Sequence, residues 1–249
     1  MNAMISLELE VLKQGKASGI CEKHHVENIV MGGYSGCPEC AIEYMNEQNK
    51  KHSLEVQKTV REKHFAGAML PERHKDAGFR NYNTSLAGQK NALTQTANFA
   101  KKIVKGEVEN LVMVGSTGTG KTHLACATAR TLLAKGNYAR YITSEELAQR
   151  IMKAWDKDTK DQSEQSVIYE FTTYDLLILD EYGLHDRDKR LELVHKVLYS
   201  RYDACKATML ISNMTLEQLK NDLGDRLWSR FQHGGLTTIE CNWKDARAV

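Results

Sequence analysis

Five short apolar runs, separated by longer stretches in which apolar residues recur at helical spacing, set the plan of the chain from residue 110 onward. The runs occupy 110–114, 138–143, 174–180, 207–213 and 236–241, and in one of them Leu176, Leu177, Ile178 and Leu179 follow without interruption. An uninterrupted run of this kind reads as a strand buried on both faces. With crossover segments of about ten residues or more between runs, the pattern predicts a parallel five-stranded sheet covered by helices on both sides. The stretch from His123 to Arg130 carries a helical pattern, and Ser144, ahead of Glu145, Glu146 and Leu147, resembles a helix N-cap. Upstream the pattern changes. From Cys40 to His64 the chain is strongly polar, with Tyr44, Leu54 and Val56 scattered among Glu, Lys and Gln, which predicts an exposed helix. The expected organisation is a small N-terminal domain with its linking helix over 1–69, followed by an α/β domain over 70–249.

The turn after the first of these runs carries the sharpest chemistry. Gly115, Ser116, Thr117, Gly118, Thr119, Gly120, Lys121 and Thr122 form a complete G-x-x-x-x-G-K-[ST] loop between a strand and a helix. Glycines at its turning points allow the backbone N–H groups to face inward with no Cβ in the way, so that loop and helix N-terminus wrap nucleotide phosphates. Lys121 then reaches the β- and γ-phosphates, and Thr122 is a Mg²⁺ ligand. Asp180 emerges at the C-terminal end of a buried strand, where open α/β sheets bind ligands, and is the second candidate for the Mg²⁺ shell. Glu181, one residue on, is placed to orient and deprotonate an attacking water, as hydrolysis of ATP requires. Asn213, at the end of another strand, is placed to hydrogen-bond the γ-phosphate or that water, or else simply turns the chain.

Ahead of this domain, Cys21 and His24 form a Cys-x-x-His pair and Cys37 and Cys40 a Cys-x-x-Cys pair, twelve residues apart, with Gly32, Gly33 and Gly36 between them. Two such knuckles supply four N/S ligands for one tetrahedral, structural zinc ion. His25 is a competing histidine. Cys126, Cys205 and Cys241 lie within helix or strand patterns and read as small buried hydrophobes.

Composition narrows the class. The chain has 249 residues, two prolines and no apolar run long enough for a membrane span, and nothing resembles a secretory signal. A soluble cytoplasmic protein with reduced thiols is therefore expected. The net charge of +2 is spread unevenly, with 15 Lys/Arg against 11 Asp/Glu over residues 1–105, an excess too mild to mark a nucleic-acid surface.

The order of these motifs resembles the bacterial replicative helicase loaders of the DnaC type, which are AAA+ ATPases. The likeness extends from about Leu70 and also rests on Leu70 to Arg73, Gly78 to Tyr82, Leu223 to Phe231 and Cys241 to Arg247. It implies an AAA+ P-loop three-layer sandwich without a separate helical lid, here preceded by the zinc-knuckle domain and helix. The resemblance further implies that the protein binds a DnaB-type helicase hexamer and delivers it onto single-stranded DNA during replication initiation, in an ATP-dependent spiral or ring of subunits. In such a ring the resemblance makes Arg230 the arginine finger for the neighbouring site, with Arg226 one turn away as a second candidate, and Arg247 a contact to nucleotide in cis. A guanidinium suits both roles because its planar fork grips phosphate oxygens. The segment 147–171 corresponds to one that touches single-stranded DNA in the resembling proteins, which nominates Lys153 and Trp155; the same residues also fit an amphipathic helix with Trp155 in the core. The N-terminal domain would grip the helicase. In the zinc pattern of some loader relatives a glycine stands where this chain has His25, so His24 and His25 both stay open as the ligand. Two other functions fit the same core: a transposition helper ATPase of the IstB type, and a nucleotide-gated adaptor with little turnover.

Overall fold

The computed structural model of the protein describes residues 15–31, 34–155, 163–183 and 188–244. The chain divides into two compact units, Met1–Val60 and Arg61–Val249. The first contains a three-stranded antiparallel sheet in the order β1 (Gly15–Ile20), β2 (Glu27–Met31) and β3 (Tyr34–Gly36). Helix α1 (Pro38–Gly67) follows and has no buried residues, as its polar pattern foretold. Its last turns belong to the second unit. Phe65 and Ala68 join that unit's core, and the Arg140 guanidinium donates to the Gly67 carbonyl at 2.6 Å, so residues 61–69 fold with the α/β part rather than with the N-terminal domain.

In the second unit, α2 (Ala87–Val104) leads into β4 (Asn110–Gly115), α3 (Lys121–Ala134), β5 (Ala139–Thr143), α4 (Ser144–Lys153) and α5 (Glu164–Thr173). Then come β6 (Leu176–Tyr182), α6 (Asp188–Asp203), β7 (Ala207–Ser212), α7 (Leu216–Gln232) and β8 (Leu236–Cys241). All five strands pair in parallel in the order β5-β6-β7-β4-β8. The expected sheet is therefore the one that forms. Its two faces follow from the period of two along a strand. Leu111, Met113, Ile178 and Met209 pack with α2 and α3, whereas Val112, Val114, Leu177, Leu179 and Leu210 pack with α4 to α7.

Local capping differs from expectation at one helix. Thr143, not Ser144, caps α4: its Oγ1 accepts from the Glu146 N–H at 3.2 Å while the Glu146 carboxylate returns to the Thr143 N–H at 3.1 Å. This reciprocal box needs a hydroxyl three residues ahead of Glu146, a spacing that Ser144 lacks. Freed from capping, Ser144 Oγ donates to the Glu181 carbonyl at 3.2 Å. A second irregularity is Gly224, whose φ of 71° and ψ of 160° break α7 into two short segments.

The fully buried Arg201 fastens the side of the sheet away from the phosphate loop. Its Nε donates to Thr208 Oγ1 at 3.0 Å and its Nη1 to the Phe171 carbonyl at 2.6 Å, and its Nη2 donates to the Ala207 carbonyl. Burial pushes this guanidinium down to about 9, with Asp175 opposing the shift, so it stays charged at neutral pH. The group ties the ends of α5 and α6 to the start of β7. Replacing Arg201 by Ala removes the charged donor from three acceptors and leaves a cavity behind, and should cost roughly 3 kcal/mol or more in a urea titration. An unchanged midpoint would show that these bonds contribute nothing net.

Candidate functional site

The strand order places the C-terminal ends of β4, β6 and β7 side by side, and the loops that leave them converge on a cavity of about 340 Å³. Its lining includes Thr117 to Thr122 of the β4–α3 loop, Asp180 and Glu181 from β6, and Asn213 just beyond β7. Gly115 and Ser116, with Asn213, line the adjoining pocket. Among the described residues, the structure thus brings together every expected nucleotide-site residue except Arg230.

The loop has the conformation its glycines permit. Gly115 has φ of 123°, and a Cβ there would collide with the Cys241 carbonyl of the neighbouring strand. Gly118 and Gly120 also have left-handed φ, of 72° and 87°. Lys121, at the start of α3, donates its Nζ to the carbonyls of Gly115 and Ser116, both at 2.7 Å, which folds the side chain back over the loop.

Asp180 is 4% exposed and, among the described residues, accepts three hydrogen bonds. Thr122 Oγ1 and the Tyr141 hydroxyl both reach its Oδ2, at 2.8 and 2.9 Å, and the Glu181 N–H reaches its Oδ1 at 2.8 Å. All three donors are neutral, so none cancels the charge of the carboxylate. Burial first, then the charge of Asp180, pushes the Tyr141 phenol far above its ordinary range, and it remains a donor. Tyr141 was invisible to sequence reading, since only the pairing of β5 with β6 brings it to Asp180.

Glu181 occupies a β-bulge. The register between β6 and β7 shifts between Leu179 and Tyr182, and Glu181 takes φ of 56°, in the left-handed region. That turns it outward from a strand whose other residues are buried. Backbone strain of this kind at a non-glycine residue costs about 1–3 kcal/mol and concentrates at functional sites. Arg73, His74 and His123 also line the cavity, and no motif had marked the two histidines.

Arg230 lies on the second half of α7, outside the cavity lining. Its Nη1 donates to the Arg226 carbonyl at 3.1 Å, and its guanidinium stands 5.2 and 5.4 Å from the rings of Tyr199 and Tyr202. Arg226 is exposed. Arg247 lies outside the described residues, as do 156–162 of the segment expected to touch DNA. Trp155, at the near end of that segment, is 45% exposed rather than in the core, with its Nε1 donating to Glu164 at 2.8 Å.

In the first unit, Cys21, His24, Cys37 and Cys40 place their ligand atoms within 4.8 Å of one another. A tetrahedral zinc with ordinary bond lengths requires ligand separations of about 3.8 Å between sulfurs and about 3.6 Å from sulfur to nitrogen. The observed Cys21–Cys40 sulfur separation is 3.7 Å, and His24 Nδ1 lies 3.8, 3.5 and 3.3 Å from the sulfurs of Cys21, Cys37 and Cys40. The donor set fits zinc. His24 is the histidine that joins it, whereas His25 is exposed and turns the chain with φ of 56°. His24 Nε2 meets Glu43 Oε1 at 3.1 Å, and Glu43 is paired with Lys23. A carboxylate behind a ligating imidazole fixes its tautomer and ring orientation. The hydrogen bond to the Glu43 carboxylate, then that to Cys21, raises the His24 imidazole to about 9, while the hydrogen bond from the His24 backbone N–H lowers the Cys21 thiol to about 6.

The family of IstB-like ATP binding proteins matches residues 45–230. The chain is 28% identical over 206 residues to the uncharacterized protein YdaV of Escherichia coli (strain K12), covering 82% of this chain and 79% of that one. It is 26% identical over 205 residues to the replicative helicase loader DnaC of the same organism, covering 81% and 79%. The crystal structure of the DnaC helicase loader superposes with a TM-score of 0.59 at 26% identity, over 68% of this chain and 99% of that one. The replication initiator DnaA bound to AMPPCP and single-stranded DNA shares the fold, with a TM-score of 0.56 at 24% identity over 69% and 51%.

Metal analysis of freshly purified protein should find about one zinc per chain. Replacing Glu43 by Ala should weaken zinc about 10- to 100-fold in competition with a chromogenic chelator. Equal retention by wild type and variant would remove Glu43 from the site.

Proposed function

Because the chain belongs to the family of IstB-like ATP binding proteins, we propose that it is an ATP-dependent loader that binds a DnaB-type replicative helicase and delivers it onto single-stranded DNA. Likeness to a replicative helicase loader over four-fifths of the chain supports the cargo. The observation that carries the chemistry is the placing of Glu181, which the bulge sets beside the Thr122–Asp180 pair on the wall of the phosphate cavity.

In this reading the loop N–H groups and Lys121 bind the β- and γ-phosphates of ATP, with Lys121 exchanging its loop carbonyls for phosphate oxygens. Thr122 and Asp180 would hold Mg²⁺, which supplies neutralising charge on the phosphates. Glu181 orients the attacking water and takes its proton, and Asn213 reads the γ-phosphate. Arg230 acts in trans, so that subunits joined in a spiral or ring complete one another's sites. Such contacts to a γ-phosphate exist only before hydrolysis, which makes assembly a population switch. The zinc-stabilised first unit is the docking element for the helicase, Lys153 and Trp155 are candidate contacts to single-stranded DNA, and the protein acts in the cytoplasm. Among the described residues no helix is long and apolar enough to cross a membrane.

The match to IstB-like proteins favours one alternative, a transposition helper that assembles on duplex DNA. Capture of a replicative helicase from the source cell, stronger with ATP than without, supports the loader; capture of a transposase in its place supports the helper.

Lys121→Ala should abolish ATP binding, and retained affinity would contradict the cavity assignment. With Glu181→Gln, binding should persist while turnover falls by roughly 100-fold or more. Arg230→Ala should bind nucleotide normally yet lose both ATPase activity and assembly; normal hydrolysis by the variant as a monomer would show the finger to be elsewhere.

A further inference from the structure

The phosphate loop is held from behind by two side chains that no motif assigns to nucleotide binding. The Thr119 carbonyl accepts hydrogen bonds from the Tyr82 hydroxyl at 3.1 Å and from Trp243 Nε1 at 3.0 Å. Tyr82 follows the turn Phe79–Asn81 that precedes α2, and Trp243 lies two residues past β8, so the two donors come from opposite ends of the α/β unit. The pairing of Gly115 with Cys241 explains why they meet: β8 ends beside the point where the loop leaves β4.

Glycines face both rings, closely at Trp243 and more closely still at Tyr82. A Cβ on Gly120 would come within 2.7 Å of the Tyr82 ring, and a Cβ on Gly88 within 3.1 and 3.2 Å of two Trp243 ring carbons. The motif glycine at 120 thus has two separate reasons to be glycine, its left-handed φ of 87° and the ring against it.

The geometry has a direct consequence for the ligand. In a trans peptide the C=O and the next N–H point in opposite directions. Anchoring the Thr119 carbonyl outward on two donors turns the Gly120 N–H away from the rings, towards the cavity that Gly120 lines. We infer that Tyr82 and Trp243 are positioning residues that clamp the Thr119–Gly120 peptide in its phosphate-binding orientation. Without them the peptide is free to flip and present a carbonyl to an anion. The inference rests on the cavity being the ATP site, and it extends the machinery of that site to residues well away from the loop in sequence.

The test uses Tyr82→Phe, which removes one oxygen and keeps the ring against Gly120, and Trp243→Phe, which removes the donor and keeps an aromatic ring against Gly88. Each should weaken binding of ATP and of ADP roughly 3- to 10-fold, the size of one lost hydrogen bond. KM should rise by the same factor with kcat unchanged, and because Tyr82→Phe keeps the ring in place, a rise in that variant reports the lost donor and not lost packing. Wild-type tryptophan emission should change on adding nucleotide; the change should vanish in Trp243→Phe and persist in Trp155→Phe and Trp228→Phe. Unaltered affinity in both variants, with wild type binding and Lys121→Ala not binding, overturns the clamp and leaves the nucleotide site intact. Failure of wild type to bind nucleotide overturns the site and the clamp together. Should Trp243→Phe misfold, Tyr82→Phe alone decides.

Discussion

A loop that is to receive an anion must aim its N–H groups inward, and each carbonyl it thereby turns outward needs a donor of its own. The β4–α3 loop meets this constraint at four of its carbonyls. Gly115 and Ser116 are answered by Lys121, Ser116 again by Thr119 Oγ1 at 2.8 Å, Thr119 by Tyr82 and Trp243, and Gly120 by the Leu124 N–H at 3.1 Å. Much of the neighbouring structure can be read as the supply of these donors. Tyr82 after the turn before α2 and Trp243 past the exit of β8 carry one each, and the first turn of α3 carries two. A five-stranded sheet in this order brings those three places within reach of one loop.

The acidic side of the cavity obeys the converse rule. A buried carboxylate needs donors, and if it is to serve a cation those donors should not themselves be cations. Among the described residues, Asp180 is bonded by a hydroxyl, a phenol and an amide, all of them neutral. Arg201, at the far side of the sheet, shows the mirror case: a buried cation whose described partners are a hydroxyl and two carbonyls, neutral acceptors all. One group is held charged for a ligand, the other for the scaffold.

Sequence reading reached what is local. The phosphate loop, the strands, Asp180, Glu181 and the paired Cys/His knuckles were all legible, because each is written in a run of consecutive residues or a short spacing. Tyr141, Tyr82, Trp243, Glu43 and Arg201 were not, since each acts through a partner far along the chain or on a neighbouring strand, and no spacing rule names such a pair. Ser144 resembles a cap by residue type alone, since serine is a good one. Thr143 prevailed because the box is decided by the position of Glu146, not by the residue type alone. The cysteine cluster lies ahead of residues 45–230, where the family match falls. Its chemistry therefore rests on ligand geometry rather than on kinship.

The break at Gly224 gives α7 a property that an unbroken helix of the same length would not have. Two short rods meet at a single pivot, and the second, anchored by Leu227 and Phe231, carries Arg226 and Arg230. The direction of the second rod is set by one pair of dihedrals at a residue with no Cβ, independently of the first rod, which is capped at Thr215. The heading of both guanidinium-bearing side chains is thus decoupled from the rod that precedes the break, and the aromatic faces of Tyr199 and Tyr202 hold the Arg230 guanidinium where that heading delivers it.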